Sequence, residues 1–155
     1  MLRRLSFATA AAAASTALLA GAGPAMAAAD PAASATARAC SGVVQINSLA
    51  FQPAQVSPGQ GSTATLTATN CTGQAQTVSE TWYGRFTSAT GGFPQGCPVV
   101  DPFLRTVAFA AHQRVAASTS YLVLAGCQAS AFTVTVTLSQ NGVQLGQASA
   151  VLTIG

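Results

Sequence analysis

One histidine, three carboxylates and four cysteines are the side chains of this 155-residue chain best equipped for chemistry. A Ser-His-Asp hydrolase needs a histidine oriented by an acid and set beside a serine. His112, the only histidine, lies in AAHQR, which reads as a turn between two strands and is expected at the exposed surface. Paired-carboxylate hydrolysis needs two acids at a set separation across the scissile bond. Asp30 is near the N-terminus, Glu80 falls in a strand-like run and Asp101 in a loop, so no spacing couples them. One histidine and two separated acids also make an incomplete metal ligand set. GQG at 59–61 reads as a turn between strands, not as the glycine-rich opening of a phosphate-binding helix. The cysteines form no CxxC pair that would suggest redox or metal chemistry. The inventory assigns no catalytic, cofactor-binding or metal-ligating residue, and the expectation is a protein that is not an enzyme and takes no cofactor.

The cysteines and the N-terminus point to an oxidising compartment. MLRR is a cationic n-region, Leu5 to Ala20 an apolar h-region of signal-peptide length, and Ala25-Met26-Ala27 an A-x-A cleavage site. Residues 1–27 are therefore expected to be a signal peptide, with cleavage after Ala29 as the rival, and the mature protein to be secreted. No later apolar run approaches the ~18 residues that span a bilayer, so no stable membrane insertion is expected after cleavage. Removing residues 1–27 leaves Arg38, Arg85, Arg105 and Arg114 against three acids, with no lysine anywhere. Four scattered arginines do not make the clustered cationic surface that phosphate tracking requires, so nucleic acid is not an expected partner. The alanine-dense signal is typical of bacteria with GC-rich genes.

These residues need elements to position them. Residues 28–39, AADPAASATARA, are small and aperiodic and read as a flexible leader. From residue 40 to 155 the texture becomes valine- and threonine-rich runs separated by Gly, Pro, Asn and Gln, enough for one domain with a real core. STATLTATN sets Ala64, Leu66 and Ala68 against Thr63, Thr65, Thr67 and Thr69. AFTVTVTLS sets Phe132, Val134, Val136 and Leu138 against Thr133, Thr135 and Thr137. Such alternation marks half-buried strands. Asn141-Gly142 suits a type I′ turn into a strand over 143–154. Less regular candidates cover 42–51, 76–86, 103–109 and 114–124. About seven short strands and no convincing helix predict an all-β fold, an immunoglobulin-like antiparallel β-sandwich, with a small barrel as the alternative.

Alternating strand direction then selects a disulfide pairing. Cys40 opens the first strand and Cys71 follows the second, at one end of the sandwich; Cys97 follows the third and Cys127 the fifth, at the other. The expected bridges are Cys40–Cys71 and Cys97–Cys127, each contributing roughly 3–4 kcal/mol by restricting the unfolded chain.

The aromatics supply the candidate binding surface. Trp82 is expected to fill the core, as a tryptophan on this strand does in such sandwiches. Glu80, two residues earlier, shares its inward face, with Arg85 or Arg105 as the neutralising partner. Tyr83 and Phe86, with Phe93 from the next loop, are the expected surface patch, able to stack on a sugar or on a partner's side chains. That loop, GGFPQGCPVVDPF at 91–103, is stiffened by Pro94, Pro98 and Pro102 and pinned by Cys97. It is either a crossover that needs stiffening to stay ordered or a preorganised recognition loop.

Two resemblances bear on the choice. FQPAQVSPGQGSTATLTATNCTGQAQTVSETW resembles the opening strands of bacterial immunoglobulin-like and CARDB-type adhesion-associated domains, which implies a binding or spacing role. CPVVDPFLRTV resembles a stretch of the secreted bacterial subtilisin-inhibitor family, and the Cys97 to Cys127 spacing fits that family's second disulfide. That likeness implies that Cys97, Pro98 and Val99 occupy a protease's subsites, with Val99-Val100 as the reactive bond of an inhibitory loop over 94–102. The primary expectation is a secreted, non-enzymatic module binding an extracellular protein or carbohydrate. The alternative is a secreted serine-protease inhibitor.

Overall fold

The computed structural model describes residues 39 to 155. The expected signal peptide, its cleavage positions and the leader as far as Arg38 lie outside the described residues. The described strands are β1 (Val44–Gln52), β2 (Gln55–Val56), β3 (Gly61–Asn70), β4 (Gln76–Thr87), β5 (Phe103–Phe109), β6 (Arg114–Leu122), β7 (Ala131–Gln140) and β8 (Val143–Ile154). They form two sheets, ordered β1-β3-β6 and β2-β8-β7-β4-β5. The result is the expected immunoglobulin-like sandwich, with eight strands rather than about seven. The added element is β2, where the chain leaves the first sheet after Gln52, turns at Pro53 and runs parallel to the end of β8, pairing Val56 with Ile154.

The period-two pattern decides which side chains meet between the sheets. Ala64, Leu66 and Ala68 of β3 are buried, as are Val78, Trp82 and Phe86 of β4 and Phe132, Val134, Val136 and Leu138 of β7. Phe132 is the hub, its ring centroid 4.4 Å from Phe86, 4.8 Å from Tyr121 and 6.1 Å from Phe51. On the opposite face the threonines meet other hydroxyls across the strands. Thr63 lies 3.0 Å from Ser120, Thr65 2.9 Å from Ser118 and Thr135 2.8 Å from Ser149. Such cross-strand hydroxyl pairs support register without charge.

Two buried polar groups are answered by partners. The side chain of Asn70 donates to the carbonyls of Gln74 and Ala110 and accepts from the backbone N–H and hydroxyl of Thr72, joining the β3–β4 turn to the β5–β6 turn. Glu80, 1% exposed, accepts from Trp82 Nε1 at 2.9 Å and from Arg105 Nε at 2.5 Å. Arg105 is its direct cross-strand neighbour on β5 and resolves the choice left open by the sequence. The same guanidinium lies 4.6 Å from the Trp82 ring centroid and donates to the Ser118 carbonyl of β6, tying the edges of the two sheets together. A buried carboxylate without such pairing would be strongly destabilising.

Candidate functional site

The two ends of the sandwich are each fixed by one disulfide, Cys40–Cys71 and Cys97–Cys127, the pairing that strand direction predicts. At the first end the backbone N–H of Cys71 donates to the Val43 carbonyl and that of His112 to the Thr72 carbonyl. His112 occupies the exposed β5–β6 turn, with a left-handed φ of 56°. Asp101 stands at the opposite end of β5, and Glu80 is engaged by Arg105, so the structure does not gather these groups into one site. Among the described residues no three metal-ligating side chains cluster together.

The second end is built differently. β4 runs on to Thr87, loop 88–102 returns to β5, and Cys97 is bonded to Cys127 in the β6–β7 connection. The loop closes tightly on that connection. Gln128 donates its backbone N–H to the Gln95 carbonyl at 2.9 Å. Gly96, at φ +70°, abuts the Gly126 carbonyl so closely that a β-carbon there would collide with it. Val100 tucks in beside Gly84, its Cγ1 3.3 Å from the position a β-carbon on Gly84 would take.

Between this loop and β4 lies a cleft of about 350 Å³, lined among others by Tyr83, Arg85, Phe93, Val99 and Asp101. Tyr83 and Arg85 point outward because Trp82, Gly84 and Phe86 point in. Tyr83 is 45% exposed, Phe93 55% and Val99 75%. Pro98 and Val100 of the loop are half-buried and line the same cleft. The expected patch therefore needs one correction. Phe86 is 1% exposed and belongs to the core, four residues and two pleats from Trp82 on the same face. The sequence contained that signal, since inward parity at Trp82 carries to Phe86. Arg85 and Asp101, not singled out as binding residues from the sequence, face the same cleft and form no ion pair with each other. Phe93 also borders a more polar hollow of about 450 Å³, with Ser88, Thr90, Gln95 and Gln128.

Tyr121, half-buried on β6, has its phenol pushed up to about 12 by burial, with Arg105 pulling the other way. It belongs to the core rather than to the cleft, resting against Phe51 and Phe132.

No protein-family model matches the chain, and comparison with curated proteins finds no match. Among solved structures the fold is similar to part of the Pseudomonas fluorescens alkylpurine DNA glycosylase AlkC, solved bound to DNA containing an abasic site analog. The identity is 18% and the TM-score 0.53, over 72% of this chain and 30% of that one. The sporulation control protein Spo0M of Bacillus subtilis is a more distant neighbour, 11% identical with a TM-score of 0.46, over 74% of this chain and 50% of that one. This chain thus spans half or less of the length of either, and at 18% identity the likeness to AlkC concerns the fold alone.

Proposed function

We propose that this chain is an exported, non-enzymatic binding module whose recognition surface is the Cys97–Cys127 end of the sandwich. One observation carries the reading: two aromatic rings and Val99 stand exposed together around a single cleft that also holds Arg85 and Asp101. Exposed apolar side chains grouped in a concave, partly polar setting are the usual makings of a binding site. The disulfide and the three prolines reduce the ordering entropy a partner must overcome, and the close approach of Gly96 to Gly126 holds the loop against its neighbour. The partner is an extracellular protein or carbohydrate. The signal-like N-terminus and the two disulfides support export, since such bonds persist outside the reducing cytosol. Nucleic acid is not part of the reading, because the described arginines sit on three different strands and Arg105 is spent on Glu80.

The test compares the secreted protein with Tyr83→Ser/Phe93→Ser, using Val143→Ser in the β7–β8 hairpin as an exposed control. Retained binding to glycan arrays and immobilised extracellular proteins in the control, and its loss in the double variant, is the expected result. Equal binding by all three proteins would overturn the reading.

Val99 favours a second reading. Among the described residues it is the most exposed of the large apolar side chains, on a proline-flanked segment next to Cys97, as a protease-inhibitory loop requires. Incubation with subtilisin-like, elastase-like and trypsin-like proteases tests it. Stoichiometric inhibition whose target changes with Val99→Met or Val99→Lys would assign the loop to inhibition. Simple cleavage, or no effect, would dismiss that role.

A further inference from the structure

The ladder of the second sheet is incomplete at one place. β5 accompanies β4 from Gln76 opposite Phe109 to Trp82 opposite Phe103, whereas β7, on the other side, continues to Thr87 opposite Ala131. Beyond Trp82 the β5 side of β4 has no strand beside it. Pro102, immediately before β5, has no N–H to extend the pairing, and Pro98 removes another donor. No backbone hydrogen bond joins residues 83–87 to residues 98–102. Cys97–Cys127 and the packing of Val100 beside Gly84 hold the loop in its own path, so the two segments part around the cleft instead of zipping together. The opening is a strand edge five residues long, roughly 17 Å.

An open edge presents N–H and C=O groups in a line with the repeat of an extended chain, and another backbone is its natural complement. A sugar has no such repeat. Charge adds direction. Of the two acids described, Glu80 is buried against Arg105 and Asp101 stands on the loop wall, while Arg85 on the β4 wall is in no ion pair among the described residues. An added strand would set one of its residues beside Arg85, across from Thr133 on the β7 side.

We propose that this opening receives an extended peptide segment of a partner protein, added as a strand to β4 over Tyr83–Thr87. An apolar side chain of the segment rests against Tyr83, Phe93 and Val99, and an acidic side chain lies opposite Arg85. The proposal rests on the binding reading above and narrows its partner to a polypeptide.

The experiment selects short linear peptides from a random display library on the full secreted protein and uses a selected peptide, made synthetically, as the probe. Selected peptides should carry an acid two residues from an apolar residue, the spacing that puts both on the face of Tyr83 and Arg85. Methylating the peptide's alternate backbone nitrogens should weaken binding by about tenfold or more, because each removes a ladder donor. Hydrogen exchange should slow at alternate amides of Tyr83–Thr87 when peptide is added. Arg85→Glu should weaken binding similarly, and changing the peptide's acid to arginine should restore it. Binding that depends on Tyr83 and Phe93 but ignores backbone methylation would overturn strand addition and leave the binding surface standing. A peptide bound equally well by Tyr83→Ser/Phe93→Ser would overturn both. Failure to select any peptide that competes at the cleft would also overturn the proposal.

Discussion

Gly84→Ala measures how rigidly the core supports the cleft. Gly84 points inward between Trp82 and Phe86, and its backbone is ordinary strand, so no conformational reason demands glycine. Space does. A β-carbon at residue 84 would overlap the tip of the Phe132 ring and stand 3.3 Å from Val100 Cγ1. Val100 is in a loop and can give way. Phe132 cannot, being fully buried and boxed in by Phe86, Tyr121 and Phe51. Forcing an extra methyl into a packed core costs typically ~1–3 kcal/mol, and this overlap is with a ring that has no free direction, so the upper part of that range applies. Replacing glycine returns ~0.4–1 kcal/mol through the unfolded chain. The expected net loss is about 2 kcal/mol. With a urea m-value of about 1–2 kcal/mol/M for a domain of this size, the midpoint should fall by about 1–2 M with m unchanged. Phe132→Leu should make the same alanine far less costly, since the two sites share the space. An unchanged or raised midpoint for Gly84→Ala alone would refute the packing argument.

Trp82→Ala should cost about 3–5 kcal/mol in the same titration, because the ring is fully buried and its N–H serves Glu80; a loss below about 1 kcal/mol would place the ring outside the core. Gly96→Ala should open loop 88–102 to proteolysis while the strands keep their protection, because the new methyl meets the Gly126 carbonyl at a left-handed φ; unchanged nicking would count against that contact. The Tyr121 phenol keeps its proton to about pH 12 in the folded protein, whereas the unfolded chain loses it near pH 10. Its contribution is therefore intact below pH 10 and declines from there to pH 12, by at most about 1.4 kcal/mol per pH unit. Stability measured across that window should show a shallower fall for Tyr121→Phe than for the unsubstituted protein, and identical slopes would contradict it.

The strands with strict alternation were legible in the sequence. Thr63 to Thr69 and Thr133 to Thr137 announce their outer faces, and Asn141 and Gly142 adopt the positive φ values of 51° and 80° that the hairpin signal implies. The disulfide pairing followed from strand direction alone. β2 was not legible, since two residues after a proline have no periodicity to detect. Within the candidate site, the exposure of Tyr83 and Phe93 is legible from strand parity and loop position, whereas nearness in sequence groups Phe86 with them although its parity with Trp82 puts it in the core. Arg105 as the partner of Glu80 depends on the β4–β5 register, which no local pattern encodes. The cleft itself arises where that register stops; Pro98 and Pro102 mark the donors that are missing there, but only the register shows which part of β4 they leave unpaired.

The bridges also decide how the molecule answers tension. A pull applied at Cys40 and Gly155 passes directly through each disulfide, so the 31-residue and 30-residue spans that they close carry no load. β1, β2 and β3 lie within the first span and β5 and β6 within the second. The load-bearing path runs from Cys71 to Cys97 and from Cys127 to the end, each roughly 90 Å at full extension. That path contains β4, β7 and β8, consecutive neighbours in the second sheet. Under oxidising conditions the domain is an extensible tether that stops at about half its contour length, and chemical reduction is what would release the remainder.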